Sequence, residues 1–292
     1  MTDISDLRFS HIPVNGISLH VAEAGPLGGP LVILLHGFPE FWYGWRNQIG
    51  PLAAAGYHVV VPDQRGYNLS DKPQGTAPYD LDSLAADVVA LAGHYGHDHF
   101  SLVGHDWGAI VAWWTAQTYP QNVERLLAAG ASHPAVWADA FRNNPRQRRK
   151  SYYVRLFQIP WLPEQAMRAR NFKLLADAVS DTAIPGTVTD ADLAQYRAAW
   201  GQPGALTTMV NYYRAVKRRT LLPPKTYRIR VPTIMVWGMK DRYGEPELAT
   251  ASVALCDQGE VVRFEKATHW IQHDEPERFT ALLLDFLQRP LN

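Results

Sequence analysis

The chain has 292 residues, 47% of them apolar, which is enough for a sizeable buried core and argues against a disordered polypeptide. Lys plus Arg and Asp plus Glu each number 28, so the formal charge is zero and gives no reason to expect nucleic acid as a partner. The single cysteine, Cys256, excludes an internal disulfide and a cysteine-based metal site.

Residues 1–6 are acidic and lack the apolar stretch of a secretion signal. Residues 9–23 alternate around Val14-Asn15-Gly16, a hairpin signal. Leu31–Leu35 is a continuous apolar run and reads as a buried strand ending at His36-Gly37. It is the longest aliphatic run and far too short to span a bilayer, so a cytoplasmic protein without membrane insertion is expected. Residues 45–56 fit a helix and 58–63 a second buried strand. Residues 82–95 carry Leu84, Val88, Leu91 and Tyr95 at helical spacing, with Asp82 placed to cap and Gly96 to stop. A strand ending at Val103, a helix over 111–119 and a strand over 126–131 follow. This alternation predicts an α/β protein with a mostly parallel sheet flanked by helices on both faces.

The rhythm breaks over 133–221, where aromatics, arginines and prolines replace β-branched runs. Short helices fit, for example 190–200 and 206–219. The basic cluster Arg146-Gln147-Arg148-Arg149-Lys150 reads as a solvated helix face. Leu222-Pro223-Pro224 punctuates, and strands return at 233–237 and 260–264. The last helix starts near Pro276, with Phe279, Leu282, Leu283 and Phe286 on one face. The expected organisation is a core of 1–132 and 222–292 carrying an inserted helical cap of 133–221.

Four segments follow strands and carry chemistry, as sites in such sheets gather at the carboxyl ends of strands. Gly104-His105-Asp106-Trp107-Gly108 matches a strand–turn–helix that exposes a nucleophile, with Asp106 where a serine is more usual. A serine attacking a saturated carbon would leave an ether that water does not readily cleave. A carboxylate leaves an alkyl ester that a second step can hydrolyse. Asp106 therefore points to substrates such as epoxides or alkyl halides, the alternative being a plain helix cap. His36-Gly37-Phe38-Pro39 offers the Phe38 backbone N–H which, with that of Trp107, could hold an oxyanion; His36 is read as supporting this turn. Asp241 is placed to orient an imidazole, and His269 to act as base toward water. The order nucleophile, acid, histidine matches the α/β-hydrolase order.

With His36-Gly37-Phe38-Pro39-Glu40-Phe41-Trp42, Asp63-Gln64-Arg65-Gly66-Tyr67, Gly104 to Gly108, Trp237-Gly238 to Asp241 and His269-Trp270, the chain resembles the epoxide hydrolase branch of the α/β-hydrolase fold over nearly its whole length. The resemblance implies two cap tyrosines that open the ring, because a departing alkoxide needs a proton. Ser151 to Gln158 and Asn211 to Arg214 look like the two segments that supply them. Aligning on Phe157-Gln158 selects Tyr153 and aligning on Asn211 and Arg214 selects Tyr213, with Tyr152 and Tyr212 open as one-residue alternatives. An apolar pocket for a small epoxide is expected, lined by His36, Phe157, Trp161 and Leu162 beside Phe38 and Trp107. No metal or organic cofactor is implied. A haloalkane or haloacetate dehalogenase with the same nucleophile is the nearest alternative, disfavoured because Phe38 and Trp107 stand where those enzymes usually carry Asn and Arg. A non-catalytic receptor on this fold is the remaining one.

Overall fold

Asn15 and Gly16 both take positive φ, 44° and 76°, the backbone that a two-residue hairpin turn requires. They join β1 (Arg8–Val14) to antiparallel β2 (Ile17–Ala24), as the sequence predicts. The computed structural model describes residues 7–219 and 227–291. Its sheet continues through β3 (Leu31–Leu35), β4 (His58–Pro62), β5 (Phe100–His105), β6 (Val123–Ala129), β7 (Thr233–Gly238) and β8 (Gly259–Phe264). The eight strands lie in the order β1-β2-β4-β3-β5-β6-β7-β8. Beyond the two antiparallel pairings of β2, every neighbour is parallel. β3, β4 and β5 are buried at every residue, which is why their middles are apolar on both faces rather than alternating.

The covering helices begin with α1 (Arg46–Ala54), α2 (Leu81–His94) and α3 (Trp107–Thr118). Two expected boundaries need correction. Asp80, not Asp82, caps α2: its extended backbone lets the carboxylate accept the Ser83 N–H at 2.8 Å. Asp82 falls within the first turn and accepts the Trp114 indole N–H instead. α3 begins at Trp107, earlier than the 111–119 expected, because the Ile110 N–H already donates to the Asp106 carbonyl.

Between β6 and β7 run α4 (Pro134–Asn143), α5 (Pro145–Lys150), α6 (Tyr152–Leu156), α7 (Leu162–Ser180), α8 (Asp190–Trp200) and α9 (Ala205–Arg219). α4 packs on α3 and on α10 (Glu247–Val253), an element of the sheet layer. α7 is two helical stretches joined across a break at 169–172, where Arg170, Asn171 and Phe172 take positive φ. α8 opens on a capping box of Thr189 and Asp192. Leu222-Pro223-Pro224 and the expected boundary at 221–222 lie outside the described residues. The chain closes with α11 (Ile271–Asp274) and α12 (Pro276–Gln288). α12 buries Phe279, Leu283, Phe286 and Leu287 but leaves Leu282 only partly covered. Among the described residues no helix is long and apolar enough to cross a membrane.

Removing the α2 cap is expected to be mild but measurable. Asp80→Ala should lower stability by about 1 kcal/mol, read as a shift in the denaturant midpoint at unchanged slope.

Candidate active site

Asp106 stands at the turn between β5 and α3 with φ 50° and ψ −119°, a backbone that costs a non-glycine residue free energy and that aims its side chain out of the sheet edge. The turn is tight because of its glycines. A Cβ on Gly104 would strike the Gly108 carbonyl, and one on Gly108 would strike that of Leu35. Asp106 makes no side-chain cap to α3, so the capping role open to it in the sequence is not the one it plays. Its Oδ1 instead accepts the Phe38 N–H at 2.8 Å, and its Oδ2 lies 3.4 Å from His269 Nε2. Burial pushes the carboxyl upward, but the bond and charge of His269 with the Phe38 N–H hold it below the usual carboxylate range.

His269 follows β8 and Asp241 follows β7. His269 Nδ1 donates to Asp241 Oδ2 at 2.8 Å, while Asp241 Oδ1 accepts the N–H groups of Tyr243 and Gly244 at 2.6 and 3.0 Å. Both carboxyl oxygens are thus committed and the acid cannot rotate. Burial alone would discharge the imidazole. The charges and hydrogen bonds of Asp241 and Asp106 overcome that and raise it from 6.5 to about 10. The resting site therefore holds an imidazolium between two carboxylates.

The cap supplies the opposite wall. Tyr153 on α6 and Tyr213 on α9 approach edge to face, with ring centroids 5.9 Å apart. Tyr213 also packs on Trp107 at 4.9 Å, Phe157 at 4.9 Å and Phe38 at 5.4 Å. Burial and then the Asp106 charge push both phenols well above their ordinary range. Their sequence neighbours point elsewhere. Tyr152 is exposed, and the Tyr212 hydroxyl is buried and donates to the Arg65 carbonyl at 2.8 Å. Adjacent helical residues lie on different faces, so the choice within each pair follows from the helix packing.

Two pocket expectations, Trp161 and Leu162, are corrected. His36 is fully buried behind the oxyanion turn: Nε2 accepts the Gln64 N–H, Nδ1 donates to the Gly37 carbonyl, and the ring abuts Tyr67. Burial holds it neutral. Trp161 and Leu162 lie at the outer surface, 68% and 49% exposed, because the chain turns outward at Trp161 before α7 begins. Phe157 does reach the cluster, packing on Phe38 at 5.5 Å.

Sequence reasoning gave no role to Glu40, a buried carboxylate inside the apolar stretch Phe38-Pro39-Glu40-Phe41-Trp42; that setting was the available signal. Tyr196 and His273 donate to its Oε1 at 2.7 Å each, Gln272 donates to Oε2 at 3.1 Å, and His105 Nδ1 lies 3.1 Å away. Burial would raise its pKa, yet these partners hold it well below the usual range. His105 Nε2 donates to the His269 carbonyl at 2.8 Å, so this charge braces the loop that carries His269. Two members of the basic cluster also serve the site rather than solvent. Gln147 donates to the Tyr243 carbonyl and accepts the Glu245 N–H, and Lys150 donates to the carbonyls of Asp241 and Gly244. Tyr243, likewise unmarked in the sequence, packs between His269 at 4.9 Å and Tyr153 at 5.9 Å. Among the described residues no group of three or more His, Cys, Asp or Glu could hold a metal ion.

A family model for the alpha/beta hydrolase fold matches residues 30–276. The chain is 44% identical over 282 residues to the AB hydrolase superfamily protein YfhM of Bacillus subtilis, covering 97% of this chain and 98% of that one. It is 35% identical over 286 residues to Epoxide hydrolase 4 of Homo sapiens, covering 96% and 78%. Among solved structures, Bacillus megaterium epoxide hydrolase in complex with an inhibitor is similar at a TM-score of 0.88 and 32% identity, covering 96% of this chain and 100% of that one. On this sheet, this Asp–His–Asp geometry and these relatives, the chain belongs to the epoxide hydrolase family of the α/β-hydrolase fold.

Proposed function

We propose that this protein hydrolyses epoxides to vicinal diols through a covalent ester on Asp106. The observation that carries the reading is the pair of cap phenols, Tyr153 and Tyr213, packed edge to face on each other, with Tyr213 against Trp107, which follows Asp106, and Phe38, whose N–H holds it. An epoxide seated between them presents its oxygen to the hydroxyls and a ring carbon to the acid. The Phe38 N–H holds Oδ1, which leaves Oδ2 as the attacking atom. The C–O bond of the ring breaks as the Asp106 ester forms, and a phenol protonates the departing oxygen.

Charge balance explains why His269 can serve as a base although it rests protonated. Alkylation converts Asp106 from an anion to a neutral ester. That removes one of the two charges that raise the imidazole. The proton it then sheds returns to the phenolate left by protonation of the ring oxygen, which restores the phenol. Neutral His269, still oriented by Asp241, takes a proton from water, and the resulting hydroxide attacks the ester carbonyl. The oxyanion develops on Oδ1, beside the Phe38 N–H that already holds it, and the Trp107 N–H is proposed as the second donor. Collapse frees the diol and restores the carboxylate. The substrate fits the aromatic lining as a small apolar epoxide, with water as co-substrate. Halide displacement would use the same carboxylate but needs no phenol.

Asp106→Ala should reduce diol formation from styrene oxide by about 10⁴-fold or more. In heavy-oxygen water under single turnover, the first diol should carry an unlabelled new oxygen drawn from the carboxylate; label in that diol means direct water attack. Tyr153→Phe and Tyr213→Phe should each slow ester formation by about 10²-fold, measured by stopped flow. Tyr152→Phe should leave it unchanged. If the phenylalanine variants instead keep full activity on alkyl halides and the wild type releases more halide than diol, the dehalogenase reading replaces this one. The imidazole makes a further, independent prediction. Its folded value lies above the ordinary 6.5, so its stabilising contribution is complete below pH 6.5 and is lost as pH rises through about 10. Thermal unfolding across that window should fall less steeply in Asp106→Ala, where one of the two anions is gone.

A further inference from the structure

The cap turns an apolar surface outward. Tyr152, Leu156, Ile159, Trp161 and Leu162 are all exposed, and they fall within eleven consecutive residues spanning α6 and the start of α7. Globular proteins seldom leave so many large apolar side chains together in water without a use for them. Trp161 is the most exposed of them and is held at φ 53°, a backbone that disfavours a bulky residue. No ring partner is found for it among the described residues.

The charge around this surface is one-sided. Residues 142–173 contain nine Lys and Arg and a single acid, Glu164, in a chain whose formal charge is zero. Glu164 is buried and neutralised by Arg214. Arg146 and Lys150 pair with Glu245, and Lys173 with Asp177. Arg149, Arg155, Arg168 and Arg170 remain exposed, and no carboxylate pairs with them among the described residues. They flank the apolar side chains along the chain on both sides. Arg155 rests its guanidinium over Phe141, which leaves its charge intact.

We propose that this face of the cap docks on an anionic lipid bilayer surface. An exposed indole and aliphatic side chains, flanked in the chain by exposed arginines, match the interfacial zone, where aromatic rings sit at headgroup depth and cations meet anionic lipids. The face lies on the surface and spans nothing. Its inner side carries Tyr153 and Phe157, so a docked bilayer lies against the wall of the candidate site. That the bilayer would supply apolar epoxide rests on the function proposed above. Vesicle binding, measured without substrate, succeeds or fails independently of that function.

The test is co-sedimentation of the full chain with phosphatidylcholine vesicles, with and without about 30 mol% phosphatidylglycerol. Binding should be at least about tenfold tighter to the anionic vesicles and should weaken about tenfold between about 50 and 500 mM NaCl. The double variants Ile159→Ser/Trp161→Ser and Arg149→Glu/Arg155→Glu should each lose that binding while keeping the wild-type unfolding temperature. No binding by the wild type, equal binding to both vesicle types, or wild-type binding by either double variant would overturn the proposal. So would a wild-type dimer in sedimentation equilibrium that the serine variant splits, since a second copy would then cover the face.

Discussion

One positive charge, favoured on His269 between Asp241 and Asp106, organises this end of the molecule. Two carboxylates enclosed in one apolar site would repel each other and pay heavily for lost solvation. The imidazolium makes both tenable, with Asp241 at 2.8 Å and Asp106 at 3.4 Å. The three residues arrive from the ends of β5, β7 and β8, so the sheet order determines whether they can meet. The parallel pairings β5–β6–β7–β8 bring those strand ends to one edge.

The cap is fastened to the loops beside this arrangement at several points. From α8, Trp200 donates to the Pro39 carbonyl at 2.6 Å and Tyr196 to Glu40, next to the N–H that holds Asp106. From α5, Gln147 and Lys150 hold the loop of Asp241. From α9, Tyr212 and Asn211 donate to the carbonyls of Arg65 and Gly75, which leaves Tyr213 turned to the site. Each tie ends on a buried or half-buried backbone or carboxylate group that would lose a partner if the cap lifted.

Much of this architecture was legible in the sequence because its signals are local. Unbroken apolar runs gave the buried strands, Asn15-Gly16 gave the hairpin, and 190–200 coincides with α8. Asp106, Asp241 and His269 stood out because each follows such a strand. Legibility failed where the outcome depends on distant partners. Asp80 and Asp82 are equally good caps on paper, and only the backbone at Asp80 decides. Tyr152 against Tyr153 and Tyr212 against Tyr213 depend on how far each helix is rotated against the core. Trp161 and Leu162 read as pocket lining because they are apolar and near Phe157, yet with Trp161 at φ 53° both side chains lie at the outer surface. Glu40 went unassigned because its four partners come from β5, α8 and α11, up to 233 residues away in the chain.

The Tyr196–Glu40 contact has a kinetic meaning. A lid tied through Tyr196 to a solvent-starved anion cannot swing freely, since each swing would strip a donor from that charge. Passage of small molecules then falls to the lining itself. Rotamer hops of rings such as Phe157 and Tyr243 belong to a far faster regime than domain opening. A doorway built from swivelling panels, in a frame that stays shut, admits slim molecules quickly and bulky ones hardly at all.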